Sequence, residues 1–166
     1  MPNWCSNSIK VVATKEYIEG MAAAFFRGEL LNYIHPIDAG NDWYEANIAG
    51  WGTKWDVGGE DFHYDVNETN DGMWEFTASF DSAWAPPVEA YQVLVDKGIF
   101  VEAYYYEPGM NFCGRFDSDG DECYQIEGDS EWVVANVPED IDVAMGISEN
   151  MEVWEEEENE EETVTE

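Results

Sequence analysis

The order in which the hydrophobic period changes along the chain is the feature that most constrains its fold. Two segments, 15–27 and 88–95, have apolar residues at helical spacing, and four have them in alternation with polar residues: 8–14, 62–67, 74–80 and 99–106. The resulting order β, α, β, β, α, β is typical of the split βαβ, or ferredoxin-like, arrangement. We therefore predict an α+β fold whose sheet spans 8–127, with both helices packed on one face through Phe25 and Leu94.

The remaining segments are predicted to extend this sheet and to flank it. Residues 111–116 and 122–127 are typical of a β-hairpin that turns at Asp119 and Gly120. We predict a ferredoxin-like domain over 1–127 that contains an insertion at 29–61. A docked C-terminal segment over 128–154 and a disordered acidic tail over 155–166 follow it. Within the insertion, mixed aromatic and polar residues favour a short strand over 30–34 and a helical turn over 43–48.

An extreme acidic charge limits what the protein can bind. The 166 residues contain 38 Asp and Glu against six Lys and Arg, a formal net charge of −32. Such a charge repels phosphate backbones and anionic lipid, so we predict no direct binding to nucleic acid or membranes. Half of the charge belongs to 127–166, which holds 16 acidic and no basic residues, and 155–166 has too little apolar surface to order itself. The other half belongs to the folded body, where it suggests a functional negative field.

The sequence gives little support for an enzyme or a cofactor. It lacks GxSxG, GxxxxGK[ST] and GxGxxG patterns, and His35 and His63 belong to no metal-binding motif. Cys5, Cys113 and Cys123 lack CxxC spacing and are predicted to be free thiols. An N-terminal Pro2 can act as a general base after Met removal, but the interpretation we favour is a proline that simply leads into the first strand. We predict a protein without catalytic residues, metal or cofactor.

The same sequence features predict a cytosolic location. No apolar run approaches the roughly 18 residues of a membrane span, and polar residues interrupt 1–20 where a signal peptide needs an apolar stretch.

The segment 117–121, DSDGD, has two interpretations. Its closely spaced carboxylates resemble the start of a calcium loop, but Glu122 and Gly128 stand where an EF-hand needs glycine and a bidentate Glu. Asp-Gly turn chemistry explains the same residues as the tip of a hairpin. The spacing favours the turn and leaves a loosely held divalent ion as the alternative.

Two aromatic strings allow a surface or a structural role. WGTKWD at 51–56 places two Trp residues around Lys54, and such residues are frequent anchors in protein interfaces. A loop that covers the core with the same aromatics is the alternative. The string SAWAPP at 82–87 has the same two interpretations: Trp84 can belong to a contact surface, or it can pack against the start of the following helix.

Four strings together, PNWCSN at 2–7, WGTKWD at 51–56, SAWAPP at 82–87 and YYEPGMNFCG at 105–114, carry a resemblance. They resemble the YubB-like family of phage and plasmid proteins, and the resemblance covers residues 1–150. It implies a ferredoxin-like fold and a mobile-element origin, and it implies no catalytic residues.

The functional hypothesis joins this origin to the charge. We predict a phage or plasmid protein that acts as a DNA mimic and inhibits a basic nucleic-acid-binding or defence protein of the host, since −32 equals the charge of about 16 base pairs. The predicted partner-binding residues are acidic or aromatic: Asp65, Glu75, Glu102, Asp117, Asp119, Asp121, Glu122, Trp51 and Trp55. The alternatives are a small-molecule-binding module for a cationic or neutral ligand, and acidity that serves only solubility or a high-salt habitat.

Overall fold

Six antiparallel strands form one open sheet in the computed structural model, which describes residues 1–38 and 40–165. The strands are β1 (Trp4–Ala13), β2 (Tyr64–Glu68), β3 (Trp74–Ala83), β4 (Phe100–Glu107), β5 (Phe112–Asp117) and β6 (Gly120–Gln125). Their order in the sheet is β2-β3-β1-β4-β5-β6, so β2 and β6 form the two edges.

Within residues 1–38 and 40–165, seven α-helices accompany the sheet, together with a 3-10 turn at Gly40–Asp42. The helices are α1 (Lys15–Phe26), α2 (Leu30–Ile34), α3 (Trp43–Trp51), α4 (Val88–Asp96), α5 (Ser130–Asn136), α6 (Glu139–Met145) and α7 (Ile147–Thr165). No helix in residues 1–38 and 40–165 is long and apolar enough to cross a membrane.

One face of the sheet, called the first face, packs against α1 and α4. Every second residue of the central strands points into this core, as Ile9, Val11 and Phe76 do. Phe25 of α1 and Leu94 of α4 are fully buried there, which confirms the predicted contact of both helices with one face. The α+β class is also confirmed, as is the predicted β, α, β, β, α, β order along the chain, with the helices of the insertion between α1 and β2.

The opposite face, called the second face, is covered in part by α5, α6 and α7. These helices bury a separate cluster built on Cys113, Val133, Ile141 and Ile147. Helices therefore lie on both faces, which corrects the prediction of helices on one face. The reason lies in β4, where Ala103 is followed by three consecutive Tyr residues, so both of its faces are apolar and the second one requires a cover.

The predicted insertion, 29–61, is more helical than its sequence suggests. The predicted strand over 30–34 is helix α2, and this prediction is wrong because the Asp56 carboxylate accepts hydrogen bonds from the backbone N–H groups of Leu31 and Asn32 at its first turn. The helical turn predicted over 43–48 is confirmed as α3, which ends at Gly52 with φ +88°. Ala39, also within the predicted insertion, lies outside the described residues.

The C-terminal residues up to Thr165 belong to helix α7. The sequence predicts a disordered tail over 155–166, whereas the structure describes residues 155–165 as the second half of α7. Glu155 contacts α5, and the side chains from 156 to 165 are exposed. Glu166, the last residue of the predicted tail, lies outside the described residues.

Candidate binding groove

A groove runs along β1 and β3 on the second face of the sheet. It consists of three adjoining hollows of about 170, 290 and 200 Å³. The first and second hollows share Ser8 and Ser79, and the second and third share Phe62 and Asp81. We call this continuous depression the β1–β3 groove.

Strand alternation makes the floor of the groove polar. Because alternate residues of β1 and β3 fill the first-face core, their neighbours point to the second face. The register pairs Ser6 with Asp81, Ser8 with Ser79 and Lys10 with Thr77 across the two strands. On the other side of β1, Lys10 is paired with Glu102 of β4. The floor therefore offers hydroxyl groups along its length and carboxylates towards both ends.

Two segments raise the sides of the groove. Ala144 and Met145 of α6 line the second hollow, and Phe62 lies opposite in the loop before β2. The neighbouring His63 lines the first hollow, and its Nε2 lies 2.8 Å from the Asp65 carboxylate.

The structure brings together most of the predicted partner-binding carboxylates. The register places Asp65, Glu75, Glu102, Asp117 and Glu122 on the second face, and Glu102 lines the groove itself. Glu122 is paired, because the Arg115 guanidinium donates to it at 2.8 Å and to Asp140 at 2.5 Å. These two carboxylates raise the pKa of Arg115, which keeps its positive charge in place.

Two predicted carboxylates lie elsewhere. Asp121 points to the first face, where its carboxylate accepts a hydrogen bond from the Tyr105 hydroxyl at 2.6 Å. This contact, after burial, helps to raise the pKa of Tyr105. Asp119 is exposed at the tip of the β5–β6 hairpin, and its backbone N–H donates to Asp117 Oδ1 at 2.8 Å. The hairpin-turn interpretation of 117–121 is therefore confirmed.

The two predicted Trp residues have different environments. Trp51 is only 6% exposed and its Nε1–H donates to the His35 carbonyl at 2.8 Å, so it belongs to the core and not to the predicted contact surface. Trp55 is 39% exposed, with the Lys54 ammonium 4.5 Å from its ring centroid. Its ring lies 6.1 Å from that of Trp4, beside the third hollow.

Of the predicted site residues only Glu102 lines the groove, and the residues missed include Trp4, Phe62 and Asp81. Asp81 had a usable signal, because it falls on the polar side of an alternating strand. No local pattern indicates that Trp4 and Phe62 line a groove, because they come together only when the loop before β2 packs over the end of β1.

The four strings that carry the family resemblance meet at the Trp4 end of the groove. Asn7 donates from Nδ2 to Ser82 Oγ at 2.8 Å, and the Trp84 N–H donates to the Asn3 carbonyl at 2.8 Å. Thr53 Oγ1 joins them through the Ala83 carbonyl at 2.8 Å. These contacts show that the strings build one end of the sheet.

The fourth string forms a tight turn at the same end. The buried Glu107 carboxylate accepts hydrogen bonds from the backbone N–H groups of Gly109 and Met110, at 2.6 and 2.8 Å. A Cβ atom on Gly109 would collide with the Asn3 side chain, so this turn packs directly on the first string.

The chain offers few reactive groups for covalent chemistry. Burial raises the pKa of the Cys5 and Cys113 thiols to about 12, so both are protonated at neutral pH. Cys123 is exposed. Within the described part of the chain, no three His, Cys, Asp or Glu side chains are grouped so as to hold a metal ion.

Comparison of the chain with protein-family models, with curated proteins and with solved structures finds no match in any of the three.

Proposed function

We propose that this chain is a non-enzymatic acidic protein that binds the nucleic-acid-binding surface of a basic host protein and inhibits it as a DNA mimic. The observation that carries the proposal is the position of Asp65, Glu75 and Glu102 on one face of a rigid sheet. Among residues 1–38 and 40–165, none of these three forms an ion pair with Lys or Arg.

The rigidity of this array supports mimicry over simple solubility. Asp65 and Glu102 belong to β2 and β4, which are separated by β3 and β1. Three steps of about 4.8 Å between neighbouring strands place them roughly 14 Å apart across the sheet. Carboxylates held at fixed spacing can match a groove of Lys and Arg, whereas carboxylates on flexible segments supply only charge.

Helix α7 adds a second negative element. Its second half carries seven Glu residues over 155–165, and the side chains from 156 to 165 are exposed. An exposed acidic helix attracts a basic partner over a screening length of about 8 to 10 Å at moderate salt. We propose that α7 mainly accelerates encounter, while the second face determines which partner fits.

The topology supports the ferredoxin-like assignment within this proposal. Strand β3 separates β1 from β2, β1 separates β3 from β4, and β5 and β6 extend the sheet as a hairpin. With the resemblance to the YubB-like family, this favours a phage or plasmid protein whose target is a host defence or nucleic-acid-binding protein.

A charge-reversal experiment tests the proposal. The immobilised chain is incubated with host lysate, and retained proteins are eluted by a salt gradient or by duplex DNA. We expect basic nucleic-acid-binding proteins that DNA displaces, and we expect the triple variant Asp65→Lys, Glu75→Lys, Glu102→Lys to lose them. The matched control, Glu157→Lys, Glu160→Lys, Glu161→Lys, has the same net charge and should retain them with slower association. Retention that is unaffected by salt, or lost equally in both variants, contradicts mimicry.

The β1–β3 groove favours a second candidate, a module for a small cationic or neutral ligand. Its second hollow of about 290 Å³ lies between the sheet floor and α6, and hydroxyl groups of Ser6, Ser8 and Ser79 line it. This function predicts that a small molecule co-purifies with the chain, which mass spectrometry of the denatured protein detects.

A further inference from the structure

The third hollow of the β1–β3 groove combines an aromatic ring with a carboxylate that forms no ion pair among residues 1–38 and 40–165. It has a volume of about 200 Å³, and its walls are Trp4, Asp56, Val57, Gly58, Phe62 and Asp81. The hollow thus has two aromatic rings, Trp4 and Phe62, and two carboxylates, Asp56 and Asp81. Aromatic rings and carboxylates are the side-chain groups that bind organic cations.

The fold engages the two carboxylates to different extents. Asp56 accepts three backbone hydrogen bonds, from the N–H groups of Leu31, Asn32 and Val57 at 2.7, 3.0 and 2.8 Å. Asp81 has the neighbouring Ser6 hydroxyl beside it, and no Lys, Arg or His nitrogen in the described residues lies within 4.0 Å of its carboxylate. Burial raises the pKa of both carboxyl groups, as expected where negative charge lacks a cationic partner.

The two Trp rings beside this hollow also differ in whether a cation of the chain lies near them. Trp55 already has a cation of this chain, because the Lys54 ammonium lies 4.5 Å from its ring centroid. The adjacent Trp4 is 46% exposed, and no Lys or Arg in the described part of the chain lies over its ring. The cluster therefore holds one cation of its own and presents a second ring without one.

We propose that this hollow binds the guanidinium group of one arginine side chain, presented by the basic partner of the proposed function. The planar guanidinium group can stack on Trp4 while it donates two hydrogen bonds to the Asp81 carboxylate. Because the hollow continues into the second hollow through Phe62 and Asp81, the rest of the partner's chain has a path along the groove. This inference rests on the proposed function for the source of the arginine, while its chemistry rests on the hollow alone.

A peptide titration tests the site without knowledge of the partner. The probe is the blocked tripeptide acetyl-Gly-Arg-Gly-amide, and its control contains citrulline, which has the same shape without the charge. Binding is followed by NMR at the indole N–H of Trp4, assigned by its loss in Trp4→Leu. We expect saturable shifts with the arginine peptide and none with the citrulline peptide.

Substitutions of Asp81 and Trp4 test whether these two side chains bind the arginine peptide. Asp81→Asn should weaken the arginine peptide roughly tenfold, because a charge-assisted pair is lost. Asp96→Asn removes the same charge from an exposed position at the end of α4, a helix on the first face, and should leave affinity unchanged. Trp4→Leu, which keeps the carboxylate, should also weaken binding, with Trp55 as the reporter, and this variant decides the matter if Asp81→Asn does not fold.

The outcomes separate this site from the proposed function. Equal binding of both peptides, or equal effects of Asp81→Asn and Asp96→Asn, overturns the arginine site whatever the lysate experiment shows. Arginine binding that depends on Asp81, without any salt-sensitive and DNA-displaced host protein, supports the site and contradicts the proposed DNA mimicry.

Discussion

The carboxylate of Glu155 accepts hydrogen bonds from both the backbone N–H and the hydroxyl of Ser130, at 2.9 and 2.6 Å. Ser130 is buried at the first residue of α5, so this pair fastens the middle of α7 to the helices on the second face. It divides the acidic C-terminal region into an attached part and an exposed part.

We therefore predict that Glu155→Gln lowers the free energy of unfolding by about 1.5–3 kcal/mol, the usual contribution of a hydrogen bond to a charged group. For a chain of this size the melting temperature should fall by about 2–4 °C per kcal/mol. The neighbouring Glu156→Gln, which makes no such contact in the described residues, serves as the control and should be neutral.

Truncation separates the two parts of the same region. Removal of 157–166 should leave the melting temperature unchanged, whereas removal of 155–166 should reproduce the loss seen in Glu155→Gln. If the longer truncation is as stable as the full chain, the Glu155–Ser130 contact does not stabilise the fold in solution.

Thiol reactivity should distinguish the three cysteines. Because burial keeps Cys5 and Cys113 protonated, only Cys123 should react with a maleimide in the native protein at pH 7.5, and all three should react after denaturation. Mass spectrometry counts the adducts, and Cys123→Ser should show none in the native state. A second native adduct would indicate opening of one of the two cores.

The Glu107 carboxylate should contribute to stability through its turn. Glu107→Ala leaves the N–H groups of Gly109 and Met110 without their acceptor and should lower the free energy of unfolding by about 1–3 kcal/mol. Glu102→Ala, five residues earlier on the same strand and on the groove face, removes the same charge and should be nearly neutral. Chemical denaturation of both variants measures the difference.

The raised pKa of Asp81 gives a pH dependence with a definite sign. The folded state protonates this carboxyl group more readily than the unfolded state, so its contribution to stability falls as pH rises from the ordinary Asp value of 3.8 through the folded pKa. The stability of Asp81→Asn relative to the wild type should therefore increase between pH 3.5 and 7. Glu75→Gln provides the control, and a relative stability of Asp81→Asn that decreases over this range contradicts the assignment.

Much of the sheet could be predicted because its strands obey one simple rule. In β1 and β3 the alternation of apolar and polar residues reports which face is buried, and the polar residues of the same strands became the floor of the groove. The predicted carboxylates Asp65, Glu75 and Glu102 share a face for this reason, without any need to know the strand order.

The elements that escaped prediction depend on contacts between distant residues. Helix α2 starts where Asp56, more than 20 residues later, satisfies its first N–H groups, and no local pattern in 30–34 reports this. The half-buried environment of Asp81 likewise requires Phe62 and Trp4 to meet beside it. Tertiary contacts of this kind override the local preferences on which sequence reasoning relies.

Acidic residues on the two edge strands of the sheet also affect how copies of the protein associate. Edge strands expose unpaired backbone groups that invite edge-to-edge association of copies, and β2 and β6 carry exposed Asp65, Glu68, Asp121 and Glu122 there. Mutual repulsion of these carboxylates keeps two molecules from extending one another's sheet. High salt weakens this repulsion, so the concentration at which the protein begins to aggregate should fall as ionic strength rises.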